Sequence, residues 1–157
     1  MSGAIHDFLG HCESNALRDC AYDAALVIYR LEEAGATLLA LPARGLRPAD
    51  AGAAWPDVVH QAAEAYGYTG EQIRPAAPSA AAITRMDEAL RWVGLIPDQR
   101  RVLRRIVGAR SLIAPLTGRH LFSWRRIGET VGADHRAVQR WHAEGIDIIT
   151  SRLNKSG

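Results

Sequence analysis

Trp124-Arg125-Arg126-Ile127-Gly128-Glu129-Thr130-Val131-Gly132-Ala133-Asp134-His135-Arg136-Ala137-Val138-Gln139-Arg140-Trp141 holds two short helical patterns separated by a glycine-containing turn. Two helices packed across a tight turn need a small residue where they touch, and Gly128 supplies it. They also need a turn residue that tolerates positive φ, and Gly132 supplies that. Ile127, Val131, Val138 and Trp141 then fall at positions that pin the pair to each other and to a core. Ser123 and Asp134 suit the two N-caps. The spacing predicts a helix-turn-helix.

With Val138 and Trp141 turned inward, the second helix exposes His135, Arg136, Gln139, Arg140 and Ala143. Arginine pairs bidentately with guanine and glutamine with adenine in the major groove of DNA, which the first turn of such a helix enters. His135, Arg136, Gln139 and Arg140 are therefore the expected base-reading set. Arg119, Arg125 and Arg126 are expected on the phosphate backbone. The competing reading is two helices packed for stability alone, with the arginines merely solvated. Trp141 has the type of a base-stacking residue, but its phase places it in the core.

Charge distribution favours the first reading. Residues 1–90 carry six arginines against twelve acids, a net of −6, whereas residues 91–157 carry thirteen basic residues against five acids, a net of +8. A polycationic segment displaces condensed counterions from DNA, and this term supplies most non-specific affinity. The chain is accordingly read as an acidic helical region over 1–78, serving packing or oligomerisation, and a basic DNA-binding domain over 79–157.

Working outward, Ala21, Ala24, Ala25, Ile28, Leu31, Ala34, Leu38 and Leu41 recur at helical spacing and predict a long helix from Asp19 to Pro42. Tyr22, Val27, Tyr29 and Leu39 lie off that stripe, and a second apolar face suits central burial or a homodimer interface. Residues 43–54 read as a loop, and Trp55-Pro56-Asp57 opens a short helix. Ser79 caps a helix running to Val93 with Ile83, Met86, Leu90 and Val93 inward. Pro97-Asp98 starts another, with Leu103, Ile106, Val107 and Ile113 inward and Arg100, Arg101, Arg104 and Arg105 on the opposite face. After the motif, Gly145, Ile146, Ile148, Ile149 and Leu153 continue an apolar face to the C-terminus. No segment alternates with period two, so the predicted class is all-α, a multi-helix domain ending in the helix-turn-helix.

Other chemistries find little support. No apolar run approaches membrane-spanning length and the first residues lack signal-peptide character, so a cytoplasmic, nucleoid-associated bacterial protein is expected, with no membrane partner. Cys12 and Cys20, with His6 and His11, lack a paired Cys-x-x-Cys spacing and are read as free thiols rather than zinc ligands. His60 and Glu64 sit four apart on one helix but lack a companion nucleophile or carboxylate, and no glycine loop for phosphate occurs. Neither an enzyme nor a cofactor is expected.

The chain resembles a family of phage- and prophage-associated bacterial proteins whose helix-turn-helix is related to the DNA-reading part of sigma factors. The resemblance is carried by Ala54-Trp55-Pro56-Asp57-Val58-Val59-His60 with Ala65-Tyr66-Gly67-Tyr68, by Arg85-Met86-Asp87-Glu88-Ala89-Leu90-Arg91-Trp92, and by Phe122-Ser123-Trp124-Arg125-Arg126-Ile127-Gly128 with Ala137-Val138-Gln139-Arg140-Trp141-His142. It covers most of the chain from Ala21 onward and implies double-stranded DNA binding in a mobile-element setting. The related module of sigma factors also contacts RNA polymerase, a further partner the resemblance brings in. No segment corresponds to a promoter-melting region, so a sigma factor is not the expectation.

A sequence-specific transcriptional regulator, acting as a homodimer or higher homo-oligomer, is the leading expectation. A DNA-packaging recognition subunit similar in role to small terminase subunits, and a protein-interaction adaptor working through the acidic half, are the alternatives.

Overall fold

The computed structural model describes residues 21–41 and 75–156. Cys12, Cys20, His6, His11, the His60/Glu64 pair, the 43–54 loop and the helix expected at Trp55 lie outside the described residues. Within them the chain is all-α, with five helices: α1 (Ala24–Ala40), α2 (Ala80–Val93), α3 (Arg101–Ser111), α4 (Trp124–Val131) and α5 (His135–Ser156). A 3₁₀ turn at Asp98–Arg100 leads into α3. The described residues contain no strand, only one isolated antiparallel bridge between Ile113 and His120.

α1 starts at Ala24 because the Asp23 carboxylate accepts the Leu26 N–H, so Ala21 and Tyr22 precede the helix rather than belong to it. Its buried line is Val27, Leu31, Ala34, Gly35 and Thr37. Val27, expected off the inward stripe, is fully buried, whereas Ala25 is exposed. The rotation follows from what α1 meets. It packs chiefly on α2 and also touches α3 and α5, and a side chain on Gly35 would run into the Ser111 carbonyl at the end of α3.

α2 is capped as expected, Ser79 Oγ accepting the Ala82 N–H at 3.2 Å. Met86 and Val93 are buried; Ala89 and Trp92, absent from the expected stripe, are buried beside them, while Ile83 and Leu90 are only partly covered. Along the α1–α2 seam Arg85 donates to Glu33 at 2.9 and 3.0 Å, and Arg30 donates to Glu88 at 3.1 Å while lying over the Trp92 ring.

The main core gathers Val27, Leu31, Trp92, Val93, Ile96, Leu103, Val107, Leu112, Ile146 and Ile149. Helix α5 runs unbroken through Gly145, so its second half is a core helix and its first half continues the same rod against α3 and α4 through Val138. Removal of this apolar surface from water is the dominant favourable term for such a bundle. Arg104 departs from expectation. Rather than facing solvent with Arg100, Arg101 and Arg105, it folds back and donates to the Ile96 and Gly94 carbonyls at 2.7 and 3.2 Å and pairs with Asp98 at 2.7 Å. It thus satisfies carbonyls beyond the end of α2, which have no helical partner. Ile113, expected inward on a helix, lies in the loop and is only partly buried.

Among the described residues, no helix is long and apolar enough to cross a membrane.

Candidate nucleic-acid interface

α4 and α5 are joined by Gly132-Ala133-Asp134. Ser123 Oγ accepts the Arg126 N–H at 3.2 Å and starts α4. Gly132 ends it at φ 71° in the left-handed region, where a Cβ is disfavoured. The Ala133 N–H donates to the Gly128 carbonyl at 2.9 Å, and a Cβ on Gly128 would sit 2.5 Å from the Ala133 carbonyl oxygen. The turn therefore lies directly on the α4 backbone. The Asp134 carboxylate then accepts the Arg136 N–H at 3.1 Å at the start of α5.

A small second core holds this pair in place, built from Ile106, Ile127 and Val138, all buried. Val131 is half-buried against it, and Phe122 and Trp141 pack against both clusters. Trp141 is thus a structural wedge rather than a free stacking platform.

His135, Arg136, Gln139 and Arg140 are all exposed, on the outer face of the first half of α5. Arg125 and Arg126 are exposed on the first turn of α4. A shallow notch lined by Arg125, Gly128, Glu129, Gly132, Ala133, Asp134 and His135 brings the two helices' exposed residues together. Arg119 is also exposed, but it belongs to the turn of the loop between α3 and α4, where its carbonyl accepts the Ala114 N–H.

These cations are not equivalent. Arg125 reaches Glu129 at 3.4 Å with its side chain 88% exposed, a contact worth little in water. His135 lies 3.0 Å from Asp134. Among the described residues, Arg119, Arg126, Arg136 and Arg140 are within salt-bridge reach of no carboxylate. Glu129 and Asp134 place negative charge in the notch itself, beside Arg125 and His135.

Behind the interface lies a polar cluster that the sequence did not signal, because its members are far apart along the chain. The Arg110 guanidinium stacks on the Trp124 ring at 4.2 Å and donates to the Phe122 carbonyl at 3.0 Å. Burial lowers its pKa, opposed by the charge of Glu32. Burial raises that of Glu32, against the opposing pull of His120 and Arg110. The His142 ring meets Trp124 edge-on at 5.1 Å. Burial first, then the charges of Arg110 and His120, push His142 down to about 4. Among the described residues no group of three or more His, Cys, Asp or Glu side chains is placed to hold a metal ion.

A family model described as a domain of unknown function (DUF6362) matches residues 40–149. No curated protein and no solved structure matches the chain.

Proposed function

The chain belongs to the DUF6362 family, and from that starting point we propose that it is a sequence-specific double-stranded DNA-binding protein. In this reading α4, the Gly132 turn and α5 form a helix-turn-helix, with α5 in the major groove. The observation that carries the proposal is the contrast within α5. Its inner face is locked in the two cores through Val138, Ile146 and Ile149, while the outer face of its first turns presents His135, Arg136, Gln139 and Arg140 to solvent. A reading element needs both properties, since base discrimination depends on side chains held in one register.

Arg125 and Arg126 at the start of α4, and Arg119 in the preceding loop, serve as phosphate contacts that set that register. The +8 charge of residues 91–157 supplies the non-specific attraction that precedes recognition. The role that best suits such a reader, with the resemblance noted above, is a bacterial transcriptional regulator of phage or prophage type.

Selection from random duplex DNA at about 0.15 M salt tests the proposal, because charge alone seldom holds tighter than roughly micromolar there. An enriched motif that weakens with Arg136→Ala or Arg140→Ala is the expected result. Retention with no enriched sequence would overturn sequence reading and leave charge-driven binding.

A further inference from the structure

One imidazole of the loop between α3 and α4 faces a carboxylate of α1. His120 Nδ1 lies 2.9 Å from the Arg110 carbonyl oxygen, and His120 Nε2 lies 3.6 Å from Glu32 Oε1. A carbonyl oxygen only accepts, so Nδ1 must carry a proton. A neutral imidazole carries a single proton, which leaves a lone pair on Nε2 facing the Glu32 carboxylate. That arrangement is repulsive. It becomes attractive when the pair gains one proton, either as imidazolium facing carboxylate or as neutral imidazole accepting from a protonated carboxyl.

We propose that His120 and Glu32 form a proton-dependent latch between α1 and the 112–123 loop, closed when the pair holds one proton more than a neutral imidazole and a carboxylate together hold. The latch governs the entry to α4. The same loop is held by the Ala114 N–H to Arg119 carbonyl bond at 2.8 Å and by the Leu121 N–H to Leu112 carbonyl bond at 2.9 Å. It ends at the Ser123 cap, next to the Arg110–Trp124 stack.

The charged and titratable groups facing the latch are Glu32 from α1, Arg110 from α3 and His142 from α5; α4 contributes the uncharged Trp124. Arg110 keeps its charge, and His142, pushed down to about 4, stays neutral over the range in which the latch works. Burial raises the Glu32 carboxyl. Its contribution is therefore complete at the acid end and is lost as pH rises, the same direction as loss of the shared proton.

The test uses the full chain and no DNA, so it stands or falls separately from the proposed function. Ring-nitrogen NMR should find Nδ1 of His120 protonated throughout the interval from about pH 5.5 to about pH 8, as its contact with the Arg110 carbonyl requires. Amide exchange protection of Ala114 and Leu121, relative to the core amide of Ile149, should fall about tenfold over the same interval. In Glu32→Gln the carboxamide N–H can donate to the neutral Nε2, so this variant should keep its protection at both values. A His120 ring protonated only on Nε2, or the same pH trend in the native protein and in Glu32→Gln, would overturn the latch.

Discussion

Gly128 and Ala133 are held together twice over: the Ala133 N–H donates to the Gly128 carbonyl at 2.9 Å, and the Ala133 carbonyl occupies the space beside the Gly128 Cα. The angle between α4 and α5 depends on this contact, and a side chain at 128 would have to push the turn away. Gly128→Val should therefore cost about 1 to 3 kcal/mol in urea denaturation, the usual result of forcing methyl groups into a filled contact. Gly132→Ala should cost about 1 to 2 kcal/mol for a different reason, the left-handed backbone at that position. Gly132→Asn should cost less. Equal losses from alanine and asparagine at 132 would argue against the backbone explanation.

Arg104 is an internal cap, not part of a basic surface. Arg104→Ala removes donors from two carbonyls and a partner from Asp98, and should lower stability by about 2 to 3 kcal/mol. Arg105→Ala, at an exposed neighbouring position, should stay within about 0.5 kcal/mol of the native protein. Chemical denaturation of the two variants side by side distinguishes the roles, and equal losses would contradict them.

His142 predicts acid sensitivity. It is neutral in the fold with a value of about 4, against 6.5 for an unperturbed histidine, so the unfolded chain takes up its proton first. Its contribution is fully present above about pH 6.5 and is lost as pH falls toward 4, by about 2 to 3 kcal/mol at the end of that window. His142→Leu should lose less stability than the native protein over that interval, measured as the difference in denaturation midpoints. Parallel curves for the two proteins would show that His142 titrates normally.

At the proposed interface, substitutions should separate by kind. Arg136→Ala and Arg140→Ala should each relax preference at one base position and cost about 1 to 3 kcal/mol on the selected sequence. Arg125→Ala should weaken binding uniformly across sequences and flatten its salt dependence. Its exposed pairing with Glu129 is too weak to hold it back from phosphate. Uniform losses from all three would remove the base-reading assignment.

Local patterns settled much of this molecule before any tertiary contact was known. Ser79 and Ser123 sit directly before segments of helical pattern, so their caps and the α2 and α4 starts could be read from spacing. Gly128 and Gly132 likewise have roles set within a few residues of themselves. The all-α class and the exposed face of α5 follow from the 3.6-residue period in the same way.

What only the folded chain decided are relations between distant residues. The inward face of α1 turned on which helices it met, which buried Val27 and brought Gly35 against Ser111. Arg104 was drawn from a basic row because carbonyls at Gly94 and Ile96 lacked partners. The Glu32, Arg110, His120 and His142 cluster draws on α1, α3, a loop and α5. Helical periodicity reports which residues share a face, but not which face meets which neighbour. Burial and charge pairing across the chain are set by the second of these, so they appear only when the helices have packed.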